Sequence, residues 1–193
     1  MSLDPAIIAQ FTIRFEPIGY IRATPWDHRA TPLGMGYGNT RFASPTNDFT
    51  LLYIAVDLPT SIAEAIVRDR FEGHVARELM RSELADWGVC EVSAKTPLAV
   101  LDLRGDACFE LGVSTDIVGA KGQDEARTFS QALYDGTDLD GILYRSRLRK
   151  RHDCVAVYDR AVSSGLDATP VEPLETLAGT LPALRALKTA LIA

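Results

Sequence analysis

FTLLYIAVDLPTSIAEAIV, residues 49–67, contains the clearest strand-to-helix pattern in the chain. The segment from Leu51 to Leu58 is apolar on both faces and is followed by Pro59, which predicts a strand covered on both sides. The apolar residues after it recur at helical spacing, so a helix should come next, with Thr60 or Ser61 as its N-cap. The stretch therefore predicts a buried strand leading directly into a helix.

Tyr53 and Glu64 are the polar side chains of this stretch that need an explanation. Ser61-Ile-Ala-Glu64 matches a capping box, in which Glu64 would bond back to the helix start and stabilise it by about 1 kcal/mol. The alternative is that Tyr53 and Glu64 form one end of an active site. The local pattern by itself favours the capping box.

The other regular segments indicate one mixed domain rather than a regular doubly wound sheet. The loose order of strands and helices predicts an α+β fold with a mixed or antiparallel sheet flanked by helices, in a single domain over residues 1–193. Strands are expected in GYIRAT (19–24), PLAVLDL (97–103), GILYRSRLR (141–149) and CVAVYDR (154–160), and helices in DEARTFSQALYDG (124–136) and in a leucine-rich C-terminal extension of about residues 171–193.

Composition limits the classes of function. The formal net charge is −6 and the isoelectric point is near 5.1, so no overall positive field attracts nucleic acid or an anionic membrane surface. The three cysteines show no CxxC spacing, and with the absence of an evident leader they predict a cytoplasmic protein. The histidines are scattered without ligand spacing, so no metal site is expected.

The segment TPLGMGYGNTRFASPTND, residues 31–48, predicts a long loop containing a short extended piece at TRFA. Its glycines lack the lysine and hydroxyl residue of a phosphate-binding P-loop, so they indicate a flexible loop. Arg41 follows them directly. Its guanidinium is either exposed to solvent or binds a pyrophosphate group, and residue spacing alone does not distinguish these two possibilities.

YRSRLRKRH, residues 144–152, is the one strongly basic run of the chain. It fits a solvated strand edge and turn protected from pairing, a local anion site for a phosphate or pyrophosphate, or an RNA-binding patch that lacks stacking aromatic residues beyond Tyr144. If the strand continues through residue 149, Ser146 faces the apolar side with Tyr144, and Arg145, Arg147 and Arg149 face the other side.

Taken in order, YIRA, GNTRFASP, LLYIAVDLPTSIAEAI and DGILYRSRLR resemble the motifs of the RES domain family over roughly residues 20–160. Arg41 resembles the family's arginine in a Gly-Arg-Phe/Trp motif, and Tyr53 resembles the tyrosine of its Tyr-Leu-Ala strand. Glu64 falls on the glutamate of an Ala-Leu-x-Glu helix and Ser146 on the serine of a Tyr-x-Ser motif. Arg22 resembles a further arginine near the start of the domain.

The resemblance implies a fold like that of diphtheria-toxin-type ADP-ribosyltransferases and an activity on NAD⁺. It implies catalytic roles for Glu64, Arg41, Tyr53 and Ser146, and NAD⁺ contacts from Arg41, Tyr53, Ser146 and Arg22. The expected protein is the toxin of a toxin–antitoxin pair, which transfers ADP-ribose to a cellular protein or degrades NAD⁺ by hydrolysis or phosphorolysis.

The expected partner is a cognate antitoxin of the helix-turn-helix, Xre type, which masks the active site; no direct contact with nucleic acid or membrane is expected. Two other functions stay open at the level of sequence. One is a non-catalytic protein-interaction module that uses the basic strand and the leucine helix. The other is an RNA-directed toxin that uses the basic run at 145–151.

Overall fold

The computed structural model describes the backbone of residues 3–193 and, apart from residues 163 and 164, their side chains. Its strands are β1 (Thr12–Phe15), β2 (Tyr20–Pro25), β3 (Leu51–Ala55), β4 (Glu78–Met80), β5 (Trp87–Ala94), β6 (Leu98–Asp102), β7 (Gly141–Arg145), β8 (Asp153–Tyr158), β9 (Leu166–Ala168), β10 (Glu172–Pro173) and β11 (Ala190–Ile192).

Short helices connect these strands. They are α1 (Pro5–Phe11), α2 (Leu58–Ile62), α3 (Arg81–Ala85), α4 (Ala107–Glu110), α5 (Asp116–Gly119), α6 (Asp124–Gly136), α7 (Asp159–Gly165) and α8 (Thr180–Ala186). A 3₁₀ turn, Trp26–His28, follows β2, and a π-helical turn, Ala63–Val67, continues α2. No helix in residues 3–193 is long and apolar enough to cross a membrane.

One large sheet organises the molecule, with strand order β1-β6-β7-β8-β3-β2-β5-β10 and with β9 also paired to β5. β6 and β7 are parallel and the other pairs of this sheet are antiparallel. β4 and β11 form a separate parallel pair. The predicted α+β fold with a mixed sheet and flanking helices is confirmed.

β3 lies near the middle of this sheet and is buried on both faces, as its sequence predicts. Leu52 and Ile54 pack on one side with strands β5, β6 and β8. Leu51 and Ala55 pack on the other side with Phe129 of α6 and its neighbours. The strand therefore holds Tyr53 at a fixed position between two packed layers.

The predicted N-cap of α2 is wrong. The helix begins earlier, because the Asp57 carboxylate accepts a hydrogen bond from the Thr60 amide at 2.8 Å. Thr60 and Ser61 are therefore inside the helix, and the Ser61–Glu64 capping box does not form. Glu64 bonds elsewhere, as described below.

The strand predicted for residues 141–149 is too long, since β7 ends at Arg145 and the chain then turns back into β8. The alternation therefore does not extend to Arg147 and Arg149. β7 also lies between β6 and β8 in the interior of the sheet. The strand-edge part of the interpretation of the basic run is wrong for that reason, whereas residues 147–152 do form the turn that it included.

Two other local predictions are corrected. TRFA is a turn rather than an extended piece, closed by a bond from the Ala43 amide to the Thr40 carbonyl at 3.0 Å. The C-terminal helix ends at Ala186, because Lys188 adopts a left-handed φ of 54° and the Thr189 amide bonds back to the Leu184 carbonyl. Leu191 belongs to β11 instead of the helix.

Candidate functional site

A cavity of about 340 Å³ opens between the middle of the sheet and the π-helical turn, within the size range of small-molecule sites. Four of the residues predicted for the site line it: Arg22, Arg41, Tyr53 and Glu64. The fifth, Ser146, lies behind the wall and bonds to Glu64. Folding thus brings these five residues together from β2, the 40–43 turn, β3, the π-helical turn and the end of β7.

Tyr53 links the sheet to the turn that carries Arg41. Its hydroxyl accepts a hydrogen bond from the Phe42 amide at 3.1 Å and another from the Thr40 hydroxyl at 2.9 Å. Burial raises the pKa of Tyr53 to about 12, so the phenol is neutral near pH 7. Its ring therefore offers an apolar, uncharged wall to the cavity.

Arg41 is held firmly, with only 9% of its surface exposed. Its guanidinium donates to the carbonyl of Ile117, within α5, at 3.1 Å and to the carbonyl of Ala120, just after α5, at 2.5 Å. Burial lowers the pKa of Arg41 from its ordinary value, which is high enough for the group to stay charged. A guanidinium has five N–H donors, so these two bonds leave donors for a ligand.

Glu64 projects from the π-helical turn, which is closed by a bond from the Arg68 amide to the Ala63 carbonyl at 2.8 Å. Turns of this kind are rare and occur frequently at functional sites. The Ser146 hydroxyl donates to Glu64 Oε1 at 2.5 Å and accepts from the Arg149 amide at 2.9 Å. Ser146 is 1% exposed, so it fixes the carboxylate from behind.

Arg22 supports the glycine-containing loop from β2. Its guanidinium donates to the carbonyls of Pro32 at 2.9 Å and Gly34 at 2.5 Å. Burial lowers its pKa from the ordinary arginine value. The loop that the sequence describes as flexible is therefore anchored to the wall of the cavity.

Two arginines of the basic run have acidic partners. The Arg149 guanidinium donates to the Asp57 carboxylate at 2.7 Å and to the Thr60 hydroxyl at 2.7 Å, which ties the end of β7 to the start of α2. Arg147 forms an ion pair with Asp69, and both line the cavity. These contacts leave less free positive charge for RNA than the sequence suggests.

Arg147 and Asp69 are site residues that the sequence analysis missed. The assumed alternation placed Arg147 on the face opposite Ser146, whereas the chain leaves the strand at that point. Asp69 follows the π-helical turn and belongs to none of the sequence motifs described above. The only available signal was the excess of arginine in the run itself.

Cys154 is the one cysteine among the residues lining the cavity. Burial raises its pKa, so the group is a protonated thiol near pH 7 and a poor nucleophile. All three cysteines are buried and free. Among the described residues, no group of three or more histidine, cysteine or acidic side chains is arranged to hold a metal ion.

Comparison with solved structures places this fold beside a chain in the crystal structure of the M. tuberculosis MbcT-MbcA toxin-antitoxin complex. The TM-score is 0.69 at 19% sequence identity, and the match covers 96% of this chain and 100% of the other. At that identity the likeness establishes the fold.

Comparison with curated protein sequences gives no match. The family model of the RES domain matches residues 13–177, which include β2 to β10, all of β1 except Thr12, and the five residues gathered at the cavity. The match extends over most of the chain. On this basis the chain belongs to the RES domain family.

Proposed function

We propose that this protein is the toxin of a type II toxin–antitoxin pair and that it cleaves the nicotinamide–ribose bond of NAD⁺. The observation that carries the proposal is the cavity that Arg22, Arg41 and Tyr53 line together with Glu64, a carboxylate held by the buried Ser146. Membership of the RES domain family and the likeness to a toxin–antitoxin complex support the same conclusion.

Glu64 is the catalytic group. Departure of nicotinamide develops positive, oxocarbenium-like charge on the ribose, as in glycoside cleavage. A fixed carboxylate stabilises that charge and accepts hydrogen bonds from ribose hydroxyls. Nicotinamide leaves as a neutral molecule, so its departure needs no general acid.

Arg41, Arg22 and Tyr53 position the substrate. The free N–H donors of Arg41, with Arg22 as a second cation, suit the two phosphates of NAD⁺. The neutral ring of Tyr53 stacks against nicotinamide or its ribose and restricts the conformers that react. Ser146 holds the glutamate, and its burial behind the cavity wall favours this role over direct contact with NAD⁺.

The ADP-ribose is either transferred to a cellular target protein or released by hydrolysis or phosphorolysis. Water, phosphate and a protein side chain all attack the same cation, and the shape of the site selects among them. A cognate antitoxin, expected to be of the helix-turn-helix type, inhibits the toxin by covering the cavity in the cytoplasm. No metal takes part in the proposed chemistry.

The direct test is to incubate the purified protein with NAD⁺ and measure free nicotinamide. Release of nicotinamide is expected, and phosphate dependence of the rate would identify phosphorolysis. Adding cell lysate and biotinylated NAD⁺ would reveal a labelled protein if ADP-ribose is transferred. A folded protein that released no nicotinamide under any of these conditions would favour the non-catalytic interaction module.

Glu64→Gln is the decisive variant. The amide keeps an oxygen that can accept from Ser146, so we expect the free energy of unfolding to change by less than about 1 kcal/mol. The carboxylate charge is lost, and nicotinamide release should fall by about a hundredfold or more. Growth arrest on expression should disappear with it.

Glu72→Gln is the matched control for this variant, since it removes a carboxylate whose side chain is 64% exposed and lies outside the cavity lining. Its rate should match that of the unmodified protein. Unchanged NAD⁺ consumption by folded Glu64→Gln protein would disprove the assignment of Glu64.

A further inference from the structure

Arg147 is an arginine of the cavity wall to which the proposed chemistry gives no role. Its side chain is 25% exposed and lies in the turn after β7, in the stretch that also contains the buried Ser146. It shares the cavity lining with Arg22 and Arg41. The cavity lining contains four arginines, Arg22, Arg41, Arg68 and Arg147, against two carboxylates, Glu64 and Asp69, so positive charge is in excess.

The partners of these arginines differ in kind. Arg22 and Arg41 donate to backbone carbonyls, which are neutral and belong to anchored segments of the chain. Arg147 is bonded to the carboxylate of Asp69, which itself lines the cavity and is 33% exposed. A carboxylate and a phosphate each present two charged oxygens that can accept a pair of hydrogen bonds from a guanidinium.

Asp69 is held against Arg147 by an unfavourable turn. The Arg70 amide bonds to the Val67 carbonyl at 3.0 Å, so Arg68 and Asp69 are the central residues of a β-turn. Arg68 has φ 47° and ψ −129°, values that suit glycine at the first central position of a type II′ turn. Strained residues of this kind occur at ligand clamps and switch regions, where the surroundings hold them in place.

Resting on the proposed function, we infer that Arg147 is a further substrate-binding residue for the diphosphate and that Asp69 occupies its guanidinium until a phosphate oxygen takes the place of the carboxylate. The exchange substitutes one anion for another on the same donors, so no cation is left unpaired. Release of Asp69 lets the turn at Arg68 relax. The site thereby selects ligands that carry a diphosphate over nucleosides that do not.

The test measures the binding of ADP-ribose by isothermal titration calorimetry. Arg147→Ala should weaken binding by about ten- to hundredfold, the loss expected for a hydrogen bond to a charged group. Arg147→Lys keeps the charge but not the planar guanidinium, so its affinity for ADP-ribose should lie between those of the unmodified protein and Arg147→Ala. Arg145→Ala is the matched control, because this exposed arginine of the same run is not part of the cavity lining.

Asp69→Asn should tighten ADP-ribose binding by about two- to fivefold, since it removes a partly exposed competitor for Arg147. Glu72→Gln makes the same change in net charge on the same loop and should leave binding unchanged. The gain from Asp69→Asn should vanish in the double variant with Arg147→Ala. If Asp69→Asn still tightened ADP-ribose binding in the Arg147→Ala background, Asp69 would act through its long-range electrostatic field rather than by occupying Arg147, and the inference would fail.

The outcomes separate this inference from the proposed function. If the protein released nicotinamide but ADP-ribose binding did not depend on Arg147, only the role of Arg147 would be overturned. Binding that depends on Arg147 without release of nicotinamide would keep the diphosphate site and overturn the proposed reaction. Absence of both would overturn both.

Discussion

Glu64 and Ser146 are 82 residues apart in the chain, yet their side-chain oxygens lie 2.5 Å apart. Ser146 reaches this position because β7 ends one residue earlier, and its hydroxyl also accepts the Arg149 amide. The Ser146 hydroxyl thus joins Glu64 Oε1 to the Arg149 amide. The glutamate is therefore held in one orientation before any ligand arrives.

Replacing Ser146 with alanine tests this arrangement at the scale of the residue. The Arg149 amide loses its acceptor, so the free energy of unfolding should fall by about 1–3 kcal/mol. Glu64 loses its anchor, and nicotinamide release should fall by about tenfold, since hydrogen bonds to charged groups contribute about 1.5–3 kcal/mol.

A double-mutant cycle with Glu64→Gln provides the control for Ser146→Ala. If Ser146 acts through Glu64, its replacement should have little further effect on the rate once the carboxylate is gone. Additive losses of rate would instead place Ser146 in direct contact with the substrate. Urea denaturation measured in parallel separates loss of stability from loss of activity.

At the scale of the element, the strand-helix unit from β3 to the π-helical turn positions most of the site. Burial acts to raise the pKa of Asp57, but hydrogen bonds from Thr60 and the charge of Arg149 outweigh it, so this pKa is lowered. The ionised carboxylate caps α2 and joins it to the basic run. The π-helical turn then directs Glu64 toward the cavity.

The turn after this unit gives a prediction of stability. Arg68→Gly should raise the free energy of unfolding by about 1 kcal/mol, because glycine adopts this backbone conformation without the strain of a side chain. Asn47→Gly is the matched control, since asparagine at φ 61° tolerates the left-handed region. Urea denaturation measures the free energy of unfolding of both variants. A lower value for Arg68→Gly would show that contacts of the Arg68 side chain stabilise the protein by more than the strained backbone destabilises it.

At the scale of the molecule, the C-terminal segment supports the site from outside. Leu184 of α8 is 1% exposed and belongs to the buried cluster that contains Ile62 of α2 and Val67 of the π-helical turn. β11 closes this layer by pairing with β4. The end of the chain therefore packs behind the segment that presents Glu64.

Leu184→Ala should lower the free energy of unfolding by about 2–5 kcal/mol, the cost of removing a buried leucine and leaving a cavity. Leu181→Ala on the same helix is the control, because Leu181 is 51% exposed, and it should change stability by less than about 0.5 kcal/mol. Chemical denaturation gives both values. Equal effects of the two substitutions would contradict the observed packing of α8.

The class of the fold and the principal strands can be predicted from the amino-acid sequence alone. Runs such as LLYIAVDL and CVAVYDR are apolar on both faces, and such a run has a strong free-energy preference for a buried strand wherever it lies. The 13-residue helix α6 was predictable for a similar reason, since its amphipathic pattern extends over several turns. The order of short motifs also identified the family and the five residues that meet at the cavity.

The contacts of those residues, in contrast, depend on how the whole chain folds. Whether Glu64 caps its own helix or bonds to Ser146 depends on a helix start at Asp57 and on the end of β7, and neither is coded within the four residues of the capping pattern. The pairing of Arg147 with Asp69 likewise joins residues 78 positions apart. Side chains of this kind choose partners by geometry in three dimensions, because a hydrogen bond or ion pair forms only where folding brings both groups within reach.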